Sequence, residues 1–239
     1  EKVQTRFFFL LFSALACIIL VMITLMGRNL TNTALGYPDA DRILMDGVFI
    51  LDFLRELPIN RIYDYTVSYF AQYPALSIGY RPPFFPLIEG IFNGLFGVNQ
   101  WSSRLALLLF AVVGVTAWFK LIEHIYNWQL AFWSCLLLIT TPFVVQWGWY
   151  TMTEIPVLSM ALLTALFFYQ YCENEKPINL YICAVLFSMT VWTKQPAFFI
   201  SIWFFLYALL TGKVQRLWRR REVWISIIIV VLMVTPLVI

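Results

Sequence analysis

Leu180–Thr211 reads LYICAVLFSMTVWTKQPAFFISIWFFLYALLT, an apolar stretch with one cation, Lys194, and one proline, Pro196, near its centre. As a single helix it would rise about 48 Å, well past a hydrocarbon core of about 30 Å. Pro196 disfavours continuation of the helix, and a lysine at mid-bilayer is costly. The stretch therefore predicts two short crossings, 180–193 and 197–211, with a turn at Lys194. The loop that follows, GKVQRLWRRRE (Gly212–Glu222), carries Lys213, Arg216, Arg219, Arg220 and Arg221. The positive-inside rule assigns such a loop to the cytoplasm, which puts Lys194 on the far side of the membrane.

The rest of the chain has the same character. It is 62% hydrophobic and 12% charged, with 22 Phe, 12 Tyr and 10 Trp, and its mean hydropathy is +0.79. That balance excludes an ordinary soluble domain and predicts an all-α polytopic membrane protein. Its strongest apolar run, Phe7–Met26, contains no charge. Further helices are expected at 104–123, 129–147, 155–171 and 223–239. A net charge of +3 is too small to argue for nucleic acid. The cysteines at 17, 135, 172 and 183 are scattered along apolar segments, without the spacing of a disulfide framework or zinc site. The one histidine, His124, suits packing or hydrogen bonding within a helix.

Lys2 and Arg6 give the N-terminal flank a cytoplasmic character too, so an even number of crossings must separate it from Gly212–Glu222. Six satisfy this, with 223–239 as a seventh. In that count 83–96 does not cross: it follows RPP, contains Glu89 and Asn93, and at about 21 Å suits a re-entrant or surface-lying helix. A rival even count lets 83–96 cross and treats 180–211 as one span, which moves Glu154 to the side opposite the first loop. On the first count Asp39, Arg81, Glu154 and Lys194 all lie on the non-cytoplasmic side. The chain then reads as a single transmembrane module over 1–239, with a long external loop at 27–103. It opens on Glu1 and stops inside an apolar run at Ile239, as a fragment of a longer protein would, and a signal-anchor role for Phe7–Met26 stays open.

The external loop is patterned. Ile43, Val48, Leu51 and Leu54 recur at helical spacing between Arg42, Asp46, Asp52 and Arg55, as in a helix lying in the interface. A second amphipathic stretch, INRIYDYTVSYFAQYP (Ile59–Pro74), is rich in tyrosine, which suits the headgroup zone. Three aspartates, Asp39, Asp41 and Asp46, fall within eight residues. Their plain reading is a helix-capping Asp39, a solvated Asp41, and an Asp46 paired with Arg42 at i,i+4. Asp39-Ala40-Asp41 has the look of a divalent-cation pair, but two carboxylates without further ligands make no site; no metal or cofactor is expected. Arg81 and Lys194 have snorkelling as their plain reading, and Glu154 has complementation of a helix dipole. The Asn29–Thr31 stretch NLT is a formal glycosylation sequon beside the membrane.

Taken in order, DADR, RPPFF, FGVNQWSSR, TMTEIP and WTKQP resemble the motifs of polyprenyl-phosphate-sugar glycosyltransferases of the GT-C fold. The group that contains protein O-mannosyltransferases and aminoarabinose lipid A transferases is the most similar, over roughly residues 1–215. The resemblance implies transfer of a sugar from a polyprenyl-phosphate donor to a protein, lipid or glycan hydroxyl, with inversion. It implies an active face outside a bacterial inner or plasma membrane. Asp39 matches the leading aspartate, the general base of the family. Glu154 matches a second acidic position that is usually aspartate, so its extra methylene is a departure. Arg81 and Lys194 match cationic positions suited to the lipid phosphate, and Asp41 stands at a neighbouring polar position expected to touch substrate. Relatives usually have more crossings than this chain. A transporter or lipid flippase, with charges along a path between inverted repeats, is the competing reading, although no repeat is apparent. A noncatalytic membrane assembly subunit is the third.

Overall fold

The computed structural model describes residues 2–27 and 37–237, with side chains from Phe12 onward. The sequon at Asn29–Thr31 lies outside them. Helix α1 is Lys2–Gly27, α2 is Pro38–Glu56 and α3, after a short 3-10 turn, is Ile62–Gln72. Then come α4 (Phe84–Phe96), α5 (Gln100–Ile125), α6 (Trp128–Thr140) and α7 (Pro142–Trp149). The chain continues with α8 (Glu154–Asn174), α9 (Pro177–Thr193), α10 (Ile200–Leu210), α11 (Val214–Trp218) and α12 (Arg221–Val234).

Local chemistry sets several boundaries. The Asn99 side chain accepts the Ser102 N–H at 2.9 Å to start α5, and Asn127 accepts that of Leu130 at 2.9 Å to start α6. Leu57 ends α2 in the left-handed region at φ 44°, and Glu175 ends α8 at φ 53° just before Pro177 opens α9. The single helix expected over 129–147 is broken instead. Thr141 is extended (φ −58°, ψ 129°) ahead of Pro142, and α6 and α7 bend by 56°. Proline's missing N–H and its steric restriction on the preceding residue account for the break.

By length and apolarity α5 and α8 are able to cross a membrane, and α6 with α7 makes a third, broken span. The apolar helices α4, α9 and Gln195–Leu210 are shorter, as is the Phe12–Gly27 part of α1. Among the described residues, helix length and apolarity therefore give two or three full-length spans, fewer than the seven crossings expected. The 17 residues of α9 rise about 26 Å.

The main core joins Ile18 and Met22 of α1, Ile43 of α2, Phe85 of α4, Phe119 of α5, Cys135 of α6 and Ile155 of α8. Two glycine contacts set its geometry. A Cβ on Gly90 would lie 2.6 Å from the Gly47 carbonyl oxygen, so α2 and α4 cross backbone to backbone. Gly114 gives Ser159 the same access where α5 meets α8. Thus α4 packs closely on α2. Away from the α8 N-terminus, Lys213 pairs with Glu173 at 2.8 Å and Arg220 with Glu175 at 2.6 Å. These contacts fasten the basic 212–222 loop to the α8–α9 turn, so both lie at one end of the bundle.

Candidate active site

The start of α2, the turn before α4, the start of α8 and the end of α9 line a cavity of about 310 Å³. Asp39, Arg81, Glu154 and Lys194 all face it. Asp39 and Glu154 thus share one space and lie on the same side of the fold.

Asp39 enters the cavity because α2 begins where it does. Tyr37 is extended (φ −145°, ψ 134°), and Pro38, with φ pre-set for a helix, occupies the first turn. The capping role expected of Asp39 is not seen among the described residues. Its Oδ2 instead lies 2.9 Å from Arg81 Nη2, and Arg81 Nη1 also donates to the Asp39 carbonyl oxygen at 3.5 Å. Arg42 stands 4.0 Å from Oδ1, on the exposed side.

Opposite, Lys194 follows the last residue of α9 in an extended conformation (φ −157°, ψ 120°), before a 3-10 turn at Gln195–Phe199. The turn expected at Lys194 is therefore present. Lys194 Nζ donates to Glu154 Oε1 at 2.7 Å. The second Glu154 oxygen, Oε2, is buried and has no hydrogen-bond partner among the described residues. Each cation in the cavity is thus already engaged by a carboxylate, and the four groups sum to zero formal charge. An aromatic edge completes the lining: Tyr37 packs edge-on against Trp147, ring centroids 5.7 Å apart, and both meet Tyr150.

Asp41 is exposed and lies outside the cavity lining. Asp46 corrects the sequence reading more sharply. It is fully buried rather than solvated beside Arg42. Its Oδ1 accepts the N–H groups of Ser77 at 2.7 Å and Ile78 at 3.1 Å, and its Oδ2 accepts the Ser77 hydroxyl. Burial pushes this carboxyl above its usual range, against the pull of those hydrogen bonds. Nearby, Glu89 of α4 is also fully buried, and neither of its oxygens has a hydrogen-bond partner among the described residues. Burial raises Glu89 to about 8, and the nearby Asp46 charge adds to the rise. No sequence periodicity marked either group, or the Tyr37–Trp147 edge; only the apolar neighbours of Glu89 hinted at burial.

Residues 80–239 match the family described as dolichyl-phosphate-mannose-protein mannosyltransferase. Among solved structures, that of ArnT from Cupriavidus metallidurans bound to undecaprenyl phosphate is similar, with a TM-score of 0.71 and 16% identity. The match covers 93% of this chain and 40% of that one, so the two share a fold over about two fifths of the larger protein. No curated protein matches the sequence.

Proposed function

The chain belongs to the dolichyl-phosphate-mannose-protein mannosyltransferase family, and from that premise we propose that it holds the catalytic cavity of a membrane glycosyltransferase. The donor is a sugar on a polyprenyl phosphate, and the acceptor is a hydroxyl group. On this reading the chain crosses the membrane seven times, α9 and α10 being two short crossings, and the cavity faces the extracytoplasmic side. The observation that carries the proposal is the convergence of two carboxylates and two cations, from four separate chain segments, on one cavity.

The chemistry asks for both kinds of group. A hydroxyl is a weak nucleophile, and a carboxylate that takes its proton as the new bond forms speeds attack. Asp39 is that base. The acceptor oxygen bonds to the anomeric carbon as the bond from that carbon to the phosphate oxygen breaks on the opposite face, so configuration inverts. The bonding electrons leave with the polyprenyl phosphate, whose added negative charge Arg81 and Lys194 stabilise. In the structure Arg81 occupies Asp39. An arriving phosphate competes for Arg81 and frees a carboxylate oxygen for the acceptor, so donor binding readies the base. Glu154 holds Lys194 toward the cavity until the phosphate draws on it. A cavity at the membrane surface also suits a donor with its tail in lipid and its head in water.

The test is sugar transfer by the full-length protein from a polyprenyl-phosphate donor, compared with an Asp39→Asn variant. Transfer that collapses while donor binding persists supports the assignment; an unimpaired variant removes Asp39 as the base.

A further inference from the structure

We propose that Asp46 is a positioning residue for this reaction, fixing Arg81 against Asp39 through the Ser77–Arg81 turn; the inference rests on the function proposed above. Asp39 and Asp46 are seven residues apart on α2, two turns along nearly the same face. They grip one neighbouring segment at two points. Asp39 meets the Arg81 side chain. Asp46 takes both backbone N–H groups and the hydroxyl at the start of the turn that delivers it.

Between these points the chain has little freedom. The Ser77 carbonyl oxygen accepts the N–H groups of both Tyr80 and Arg81 at 3.0 Å, which closes the turn on itself. Gly79 supplies the reversal at φ 92°, a conformation that an L side chain rarely adopts. Pro82 then restricts the Arg81 backbone from the other side. The Asp46 carboxylate is therefore tied to the Arg81 Cα by a short, closed path. Because Asp46 and Asp39 ride on one helix, that path also sets the cation's distance from the base.

Asp46 is a costly way merely to fill space. A buried carboxylate is unfavourable unless paired or well hydrogen-bonded, and an apolar residue of similar volume is often at least as stable there. Here its hydrogen bonds come from a single turn, on the side that leads to the cavity. A carboxylate that served stability alone would need no link to Arg81.

The experiment uses the full-length protein with a polyprenyl-phosphate-sugar donor and measures kcat and KM for the parent, Asp46→Asn, Asp46→Leu, Arg81→Ala and the Asp46→Leu/Arg81→Ala pair. Asp46→Leu removes both carboxylate oxygens that accept from Ser77 and Ile78 and is expected to lower kcat/KM by about 10- to 100-fold, the scale of unpaired buried donors. Asp46→Asn keeps one acceptor oxygen and is expected to lose less than about fivefold. In the Arg81→Ala background, Asp46→Leu is expected to add less than about twofold, because the group it positions is gone. Losses that multiply in the double variant, or an unimpaired Asp46→Leu, overturn the proposal. Hydrogen exchange gives a readout that needs no activity: the Ser77 and Ile78 amides should exchange at least about tenfold faster in Asp46→Leu. Unchanged exchange at those amides also overturns it. A parent that transfers no sugar would instead remove the proposed function. Binding of polyprenyl phosphate alone, measured across the same variants, would then decide the positioning role by the same double-variant comparison.

Discussion

The two ion pairs of the cavity are built with opposite exposures. On the α2 side the carboxylate is open and the cation sheltered, the Asp39 side chain being 37% exposed and that of Arg81 21%. On the α8–α9 side the order reverses, with Glu154 15% exposed and Lys194 40%. An incoming ligand thus meets an acid on one wall and a cation on the other. Their supports differ as well. Glu154 and Lys194 sit directly at the ends of two helices that pack on each other, whereas Arg81 rides on a turn that buried polar contacts hold down. On the proposed reading, the α2 side supplies the base together with one phosphate-binding cation, Arg81, and the α8–α9 side supplies the more exposed cation, Lys194.

The most severe test of this division is Asp39→Asn, expected to lower kcat by about 10²- to 10⁴-fold with little change in donor KM. An equal loss in kcat from Glu154→Gln would erase the distinction between the walls. Next in size, Lys194→Met should raise donor KM by about 10- to 100-fold, the scale of a charge-assisted hydrogen bond. A change confined to kcat would move Lys194 away from ground-state phosphate binding. Arg81→Lys keeps the charge but loses the fork that reaches both the carboxylate and the carbonyl oxygen of Asp39. Its expected cost is smaller, about fivefold in kcat/KM.

The smallest effect concerns the buried polar layer beneath α2. The folded chain holds the Glu89 proton up to about pH 8, against 4.5 for an ordinary glutamate. Its contribution to stability is therefore complete below about pH 4.5 and lost as pH rises through about 8. Thermal unfolding between pH 5 and pH 9 should show Tm falling with pH in the parent and a flatter profile in Glu89→Gln. An identical slope in both would detach Glu89 from the α2 support.

Much of this arrangement was legible where sequence signals are local. Pro196 after Lys194 marked the end of α9, and Glu154 ahead of Pro156 marked the start of α8. Charge counting across the basic loop brought Asp39 and Glu154 to one side, and they line one cavity. The break between α6 and α7 was marked too, by Thr141-Pro142, but the length of the apolar run overrode it. What the sequence concealed was pairing at a distance. Arg42, four residues before Asp46, offers an obvious surface partner, yet Asp46 turns inward to backbone groups 31 and 32 residues further on. Backbone donors leave no mark in composition. The meeting of Tyr37 with Trp147 is likewise a product of tertiary packing across the chain.

The bare contact between Gly47 and Gly90 gives α2 an unusual sensitivity. With no side chain between the two backbones, nothing at that crossing is free to change rotamer and absorb a displacement. A single methyl group at position 90 must move one helix bodily, tilting Asp39 and Asp46 together, since both are on α2. A mutation far from any reacting atom would then misaim the acid and loosen the seat of the guanidinium in one stroke.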